Sequence, residues 1–212
     1  MRFLITAGPT REPIDPVRYL SNRSSGRMGY AIAAAAVARG HEVVLISGPV
    51  SIAAPDGVRL LRVETALEMH EAVAAEIGAA EAAVFCAAVA DYRVAEMAAS
   101  KIKKSGDTLT LTLIQNPDIL GDARGEFGFG GVLVGFAAET DELERHALDK
   151  LRRKGCDLLV ANDVSRADIA FDRDENEVLV FDRKGGRERI AKTSKADIGR
   201  RLVERIELLS GY

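Results

Sequence analysis

The sequence is poor in the residues that build disulfide frameworks and protein-ligated metal centres. Its 212 residues include two cysteines, Cys86 and Cys156, and three histidines. Two cysteines are too few for a disulfide framework, and their spacing is not that of a metal site. The histidines show neither H-x-E nor H-x-x-x-H spacing, so we expect no metal held by protein side chains. The scarcity of cysteine favours a reducing compartment and therefore a cytoplasmic protein.

Long apolar runs and an excess of basic residues are also lacking. No apolar run approaches the ~20 residues that span a bilayer, and we expect no signal peptide. The formal net charge is -3, whereas a nucleic-acid-binding protein usually carries a basic excess. We therefore expect neither a membrane nor a nucleic acid among the partners. A locally basic cleft that binds one anion is compatible with this net charge.

Short apolar runs alternate with helical patterns along most of the chain. The runs predicted to be buried strands cover residues 2–7, 42–47, 58–63, 82–88, 132–137 and 158–161. Helices are predicted over residues 26–39, from the end of the strand at 58–63 to about residue 77, and over residues 141–154. This alternation predicts an α/β fold, a Rossmann-like parallel sheet with helices on both faces, in a single domain of residues 1–212. Ligands bind beyond the carboxyl ends of such strands, so the loops after Ala7, Ala88 and Ala137 should lie together.

Three other segments depart from this alternation. Residues 8–25 are polar and contain three prolines, which predicts a long loop, and residues 108–114 alternate threonine and leucine, which predicts a half-exposed strand. Residues 177–182 and 187–191 form a predicted β-hairpin around Lys184-Gly-Gly. The extension of about 165–192 is either a dimerisation or lid element or a plain edge of the sheet. Ser194 and Asp197 have capping-box spacing at the start of a final helix.

Residues 21–29 (SNRSSGRMG) lead into the first predicted helix. Backbone N–H groups and the positive end of a helix dipole can bind an anion there, and Arg23 or Arg27 can add bonds. A well-capped helix start with no ligand is the competing interpretation. A nicotinamide-binding domain is disfavoured, because G-x-G-x-x-G does not follow the first strand and no acidic residue ends the second.

Lysines and single polar residues supply the other candidate sites. Asp91 follows a buried strand in residues 87–93 (AAVADYR), and residues 101–104 (KIKK) offer charges suited to phosphate, although a lysine run is also typical of a solvated face. In QNPDI (115–119), the residues alone favour the plain start of a short helix, with Asn116 as its cap and Pro117 in the first turn. Lys150 and Lys154 lie at the margin of an apolar helical stripe, where they either extend to solvent or bind an anion.

Seven segments in sequence order resemble the bacterial phosphopantothenoylcysteine synthetases, also called phosphopantothenate–cysteine ligases. The resemblance runs from about residue 2 to about residue 206. The segments are ITAGPTREPIDPVR at 5–18, SNRSSG at 21–26, AAVADYR at 87–93, KIKK at 101–104, NPDI at 116–119, GFAAET at 135–140 and ANDV at 161–164.

The resemblance implies a reaction in coenzyme A biosynthesis. The carboxylate of phosphopantothenate attacks the α-phosphate of CTP, gives an acyl-cytidylate and releases pyrophosphate. The amine of L-cysteine then attacks the mixed anhydride, and phosphopantothenoylcysteine and CMP leave. Mg²⁺ would arrive with the triphosphate. Similarity to bacterial rather than eukaryotic members implies CTP instead of ATP. The resemblance also implies a homodimer, in which residues 171–181 would fit an inter-subunit strand, and a flavin-dependent decarboxylase, fused or separate, as a partner.

The resemblance assigns roles to individual residues. Lys101 resembles the lysine that neutralises the triphosphate in the first step, and Asn22 resembles the asparagine that binds the acyl intermediate and supports attack by cysteine. Arg18 resembles its neighbour in the substrate site, and Ser24 is expected to meet phosphate. The other expected nucleotide contacts are Ala87, Asp91, Asn116, Pro117, Asp118, Ile119, Phe136, Lys150 and Lys154. The alternatives are a nicotinamide-dependent reductase and a non-catalytic nucleotide-binding module on the same fold.

Overall fold

The structure is a computed structural model that describes residues 1–104, 106–139, 142–163 and 174–212. Its strands are β1 (Arg2–Ala7), β2 (Arg11–Pro13), β3 (Tyr19–Ser21), β4 (Glu42–Ser47), β5 (Val58–Arg62), β6 (Ala82–Phe85), β7 (Tyr92–Val94), β8 (Leu113–Gln115), β9 (Val132–Glu139), β10 (Leu158–Asp163), β11 (Glu175–Asp182) and β12 (Arg187–Ser194). Its α-helices are α1 (Arg27–Ala38), α2 (Ala66–Glu76), α3 (Ile119–Gly125), α4 (Leu143–Arg153) and α5 (Lys195–Ser210). None of these helices is long and apolar enough to cross a membrane.

Eight strands form one sheet in the order β12-β11-β10-β9-β6-β1-β4-β5. The six strands from β10 to β5 are parallel, whereas β11 and β12 run antiparallel to their neighbours. The chain builds outward from β1 to β5 on one side and then returns to β6 on the other. Strand order therefore reverses between β1 and β6, which is where open α/β sheets bind ligands.

Alternating side chains of the strands enter two separate cores. On β1, Phe3 and Ile5 pack on the side of α1 and α5, whereas Leu4 packs on the side of α2, α3 and α4. This arrangement follows from the period of two in a strand, because neighbouring side chains point to opposite faces. The predicted α/β class, with a mostly parallel sheet covered by helices on both faces, is confirmed.

The segment predicted as a long loop, residues 8–25, contains the small hairpin of β2 and β3. The carboxylate of Asp15 stabilises its turn by accepting the backbone N–H groups of Val17 and Arg18, each at 2.9 Å. The strand predicted over residues 108–114 is wrong in extent. The observed strand is β8 (Leu113–Gln115), which pairs with β7. Leu113 and Ile114 are exposed, so this alternation faces solvent and not a core.

The C-terminal part agrees with its prediction where it is described. β11 and β12 form a hairpin at the edge of the sheet, and Asp182 accepts the N–H groups of Lys184 and Gly186 in its turn. Ser194 caps α5 by accepting the N–H of Asp197 at 3.1 Å. Residues 165–173 of the predicted extension, including the start of the expected inter-subunit strand at Phe171, lie outside the described residues.

Helix α1 lies so close to β1 that one position must be glycine. A Cβ on Gly29 would stand 2.6 Å from the Cβ of Ala7 and 3.2 Å from the carbonyl oxygen of Thr6. We expect Gly29→Ala to lower the free energy of unfolding by about 1–3 kcal/mol, because overpacking forces the backbone apart. Urea denaturation measures this loss. Gly78→Ala is the matched control, since its Cβ would meet nothing within 4 Å. Equal stability of both variants would contradict the close approach.

Candidate active site

A cleft of about 750 Å³ opens at the carboxyl ends of β1, β6 and β9. The loops after β1 and β6 meet there through a parallel bridge between Pro9 and Ala88. The predicted meeting of the loops after Ala7 and Ala88 is therefore confirmed. Ala137 also lines the cleft, but from within β9, and the residues that follow this strand, 140–141, lie outside the described residues. The volume suits a small organic ligand, since such pockets usually measure about 300–1,000 Å³.

The first wall of the cleft is the loop that leads into α1. Gly26 occupies the position before the helix with φ of 76°, and no described side chain caps the first turn. The interpretation of a well-capped helix start is therefore wrong. Uncapped N–H groups at a helix N-terminus favour an anion, because they carry the positive end of the dipole. Ser24 and Arg27 line the cleft beside this turn.

The second wall is the loop that follows β6, and hydrogen bonds from side chains of other loops and strands fix its backbone. Thr6 and Thr10 accept the N–H groups of Ala87 and Ala90 at 3.3 and 3.0 Å. Asn22 Nδ2 donates to the carbonyl oxygen of Ala88 at 2.9 Å. Asn22 thereby joins the first wall to the second and stands with its amide inside the cleft.

Asn116 ties the second wall to the loop before α3. Its Nδ2 donates to the carbonyl oxygen of Ala90 at 2.8 Å, and its Oδ1 accepts from Arg93 Nη1 at 3.0 Å. The suggested capping role of Asn116 is wrong, because Asp118 is the N-cap of α3 and accepts the N–H of Gly121 at 3.0 Å. A side chain that links two loops has no partner nearby in sequence, so the sequence alone favoured a local cap.

Lysines of α4 form the third wall. Lys150 Nζ donates to the carbonyl oxygen of Phe136 at 2.8 Å, and the ammonium group of Lys154 contacts the carboxylate of Asp118. Both side chains line the cleft, whereas Arg152 on the other side of α4 is largely exposed. Burial lowers the pKa of Lys154 below the ordinary lysine value. Of the two interpretations of this lysine pair, the structure supports the one in which both side chains point into a cleft.

Among the described residues, basic side chains outnumber acidic ones around the cleft, although the whole chain is acidic. The acidic residues in the lining are Asp91 and Asp118. The basic residues in the lining are Arg23, Arg27, Lys150, Arg153, Lys154 and Lys195. An excess of positive charge in a concave site attracts an anion with several negative charges.

Two predicted residues do not line this cleft. Arg18 binds the buried carboxylate of Asp15, with its Nη2 at 2.5 Å, and donates to the carbonyl oxygen of Ile102 at 3.1 Å. The N–H of Ile102 also donates to Asp15, at 3.1 Å. The Arg18 guanidinium holds the pKa of Asp15 well below its usual range. Arg18 and the exposed segment that carries Lys101 are thus held together, outside the lining of the cleft in a single chain.

The sequence analysis missed several residues of the cleft. Asn162 lines it from the carboxyl end of β10, Asn176 from the start of β11 and Lys195 from the start of α5. Asn162 Oδ1 is buried without a hydrogen-bond partner among the described residues, which marks it as available to a ligand. The one usable signal was its place at the end of a buried strand in the ANDV segment, whose Val164 lies outside the described residues.

The cleft contains a thiol whose pKa is raised by burial. Cys86 lines it, and burial raises the pKa of this thiol to about 12. Because the thiolate is the nucleophilic form, this burial disfavours Cys86 as a nucleophile.

Comparison with known proteins identifies the family. One family model, described as the DNA/pantothenate metabolism flavoprotein C-terminal domain, matches residues 1–209. The chain belongs to this family. This match agrees with the resemblance found in the sequence, so the expected family relationship is confirmed.

The relatives are bifunctional proteins of about twice this length. The coenzyme A biosynthesis bifunctional protein CoaBC of Escherichia coli (strain K12) is 50% identical over 184 residues, which cover 85% of this chain and 45% of the relative. The same-named protein of Haemophilus influenzae is 48% identical over 202 residues, 95% of this chain and 50% of the relative. The chain thus spans about half the length of the curated relatives it matches.

A solved structure shares the whole fold. The crystal structure of the C-terminal domain of a coenzyme A biosynthesis bifunctional protein CoaBC is 38% identical to this chain, with a TM-score of 0.83. The match covers 98% of this chain and 94% of that one. The family fold therefore includes the strands that surround the cleft.

Proposed function

We propose that this chain joins phosphopantothenate to L-cysteine at the expense of CTP, as a phosphopantothenate–cysteine ligase of coenzyme A biosynthesis. The observation that carries the proposal is the basic cleft at the point where the strand order reverses, since two of the substrates are polyanions. The names of the relatives support the pathway. No feature of the cleft favours the nicotinamide alternative: β4 ends at Ser47, whose hydroxyl bonds Tyr30 and the carbonyl of Gly48.

The first step forms an acyl-cytidylate. A carboxylate oxygen of phosphopantothenate attacks the α-phosphorus of CTP, and the bond to the bridging oxygen breaks so that pyrophosphate leaves with the electron pair. This step needs positioning and charge neutralisation more than a protein nucleophile. Lys150, Lys154 and the uncapped N–H groups of α1 supply that charge around the cleft.

Mg²⁺ fits this scheme as a companion of the triphosphate. It keeps several waters and binds through phosphate oxygens with at most one or two carboxylates, so the cleft need not supply a full set of ligands. Asp91 is exposed at the cleft, where we propose that it contacts the nucleotide and not the metal. The chain's own residues do the remaining work of holding the two anions together.

The second step transfers the acyl group. The cysteine amine attacks the acyl carbon, the bond from carbon to the CMP oxygen breaks, and the amine loses a proton to give the amide. Asn22 lies where it can hold the acyl group, because its amide already bridges the α1 loop and the Ala88 carbonyl. We also propose that the enzyme works in the cytoplasm as a homodimer and that a flavin-dependent decarboxylase, fused or separate, uses its product.

Product analysis tests the proposed function. We expect phosphopantothenate, L-cysteine, Mg²⁺ and CTP to give phosphopantothenoylcysteine, CMP and pyrophosphate in equal amounts, detected by mass spectrometry and a pyrophosphate assay. ATP should be a poorer substrate. Folded protein that binds CTP and forms no product would leave only the non-catalytic nucleotide-binding module.

Loss of one cleft lysine should weaken the nucleotide specifically. We expect Lys154→Gln to raise the KM for CTP by about tenfold or more, since a hydrogen bond to a charged group contributes about 1.5–3 kcal/mol. The matched control is Arg152→Gln on the same helix, whose side chain is 74% exposed. Initial rates over a range of CTP concentrations measure the effect. An unchanged KM in Lys154→Gln would remove this lysine from the site.

A further inference from the structure

A cluster of metal-ligating side chains lies outside the cleft, between α2 and α3. His70 Nε2 lies 3.0 Å from Asp122 Oδ2, and Glu126 stands one helical turn beyond Asp122. One ligand atom from each of the three residues falls within 4.8 Å of the others. The sequence spacing could not reveal this cluster, because the histidine is 52 residues away from the first carboxylate.

The three side chains are arranged as ligands usually are. The ring of His70 rests against Phe127, with 5.0 Å between ring centroids, which fixes the direction of its Nε2. His70 and Asp122 are 19% and 28% exposed at their side chains, so an ion from solvent can reach them. Glu126 is exposed, and its carboxylate makes no hydrogen bond or ion pair with other described residues.

We propose that His70, Asp122 and Glu126 form a binding site for a first-row transition-metal dication such as Zn²⁺. Zinc binds imidazole and carboxylate ligands at about 2.0–2.2 Å, which places tetrahedral ligand atoms about 3.4 Å apart. The His70–Asp122 distance already suits this geometry, and a rotation of the exposed Glu126 closes the rest. Three protein ligands leave one position for water.

Mg²⁺ does not suit this cluster. It prefers oxygen ligands in an octahedral shell and gives up its waters reluctantly, whereas the fixed ligand here is an imidazole nitrogen. The site is therefore distinct in its chemistry from the Mg²⁺ that accompanies a triphosphate. A bound ion would join α2 to α3, whose N-cap is the cleft residue Asp118.

The competing interpretation is a plain hydrogen bond between His70 and Asp122 that holds two helices together. That hydrogen bond does not need Glu126, whereas a metal site does. Glu126→Gln therefore separates the two interpretations. It changes an exposed side chain without a described partner, so the fold should be unaffected.

Calorimetric titration of the full chain with Zn²⁺, in an excess of Mg²⁺, tests the proposal. We expect one Zn²⁺ per chain and an affinity at least about tenfold lower in Glu126→Gln and in His70→Gln. His146→Gln is the matched control, because His146 lies on α4 and is not one of the three clustered residues, and it should bind as wild-type does. The thiols should not compete, since burial raises the pKa of Cys86 to about 12 and that of Cys156 to about 11. Equal affinity in wild-type protein and Glu126→Gln, or no stoichiometric binding in wild-type, would overturn the site.

A spectroscopic readout identifies the ligand directly. The three histidines give separate imidazole signals in ¹H–¹³C NMR spectra, and His70→Gln assigns its own signal by loss. Zn²⁺ below one equivalent should move the His70 signal first. Movement of only the other two histidine signals would contradict the proposal, and unchanged circular dichroism of each variant excludes unfolding as the cause.

Discussion

Asn22→Asp is expected to stall the reaction after activation, with the acyl-cytidylate trapped on the enzyme. Asn22 Nδ2 donates to the Ala88 carbonyl at 2.9 Å, and a carboxylate at this place would face that oxygen and the anionic intermediate. Both contacts are repulsive, so the cysteine amine would meet a displaced acyl carbon. We expect the yield of cysteine adduct to fall by about 100-fold or more, the usual cost of a lost donor in the transition state.

Rapid-quench experiments distinguish this stall from general damage. A burst of about one pyrophosphate per site should persist in Asn22→Asp, and the acyl-cytidylate should be visible by mass spectrometry of the quenched enzyme. The persistent burst is the internal control for folding and CTP binding. A normal yield of cysteine adduct would refute the role of Asn22 in the second step, and loss of the burst would move that role to the first.

Lys101→Gln is expected to abolish the first step, with pyrophosphate release reduced by about 100-fold or more. The growing negative charge on the leaving pyrophosphate would lose its cationic partner. Lys184→Gln removes the same charge from the exposed turn between β11 and β12 and should leave the rate unchanged. Near wild-type release in Lys101→Gln would contradict both the residue's role and the assignment that depends on it.

The position of Lys101 makes this prediction demanding. Its segment is anchored at Ile102 by Asp15 and Arg18, outside the cleft lining of the same chain. Its effect therefore requires that this segment reach the triphosphate of the same chain or of a second copy. Mixing Lys101→Gln with Lys154→Gln, at CTP well below the raised KM of Lys154→Gln, separates these cases. Activity above the sum of the two separate variants demands that one chain supply Lys101 to the cleft of another.

The fold was predictable because it follows from local patterns. Strands such as β1 and β4 are continuous apolar runs, and each ends at a turn residue, so their bounds were predicted correctly. The hairpin of β2 and β3 was not predictable in this way. It depends on the buried carboxylate of Asp15, which also accepts an N–H from Ile102, 87 residues away.

The site was predictable mainly through the resemblance. Residue patterns alone left Lys150 and Lys154 between a solvent-facing and a ligand-facing role, and only the packing of α4 on the sheet decided it. Asn162 at the end of β10 and Lys195 at the start of α5 were missed because the sheet order, and not the sequence order, brings them to the cleft. Residue patterns alone gave Asn116 a capping role that is wrong, because its partners come from another loop.

The fate of an oxygen atom tests the acyl-cytidylate most directly. Phosphopantothenate labelled with ¹⁸O in its carboxylate is converted with CTP, Mg²⁺ and L-cysteine, and mass spectrometry measures the ¹⁸O content of each product. Attack on the α-phosphorus followed by breakage of the acyl bond predicts one ¹⁸O in the phosphate of each CMP. Label in pyrophosphate or inorganic phosphate, or unlabelled CMP with normal product yield, would contradict the proposed activation and the roles built on it.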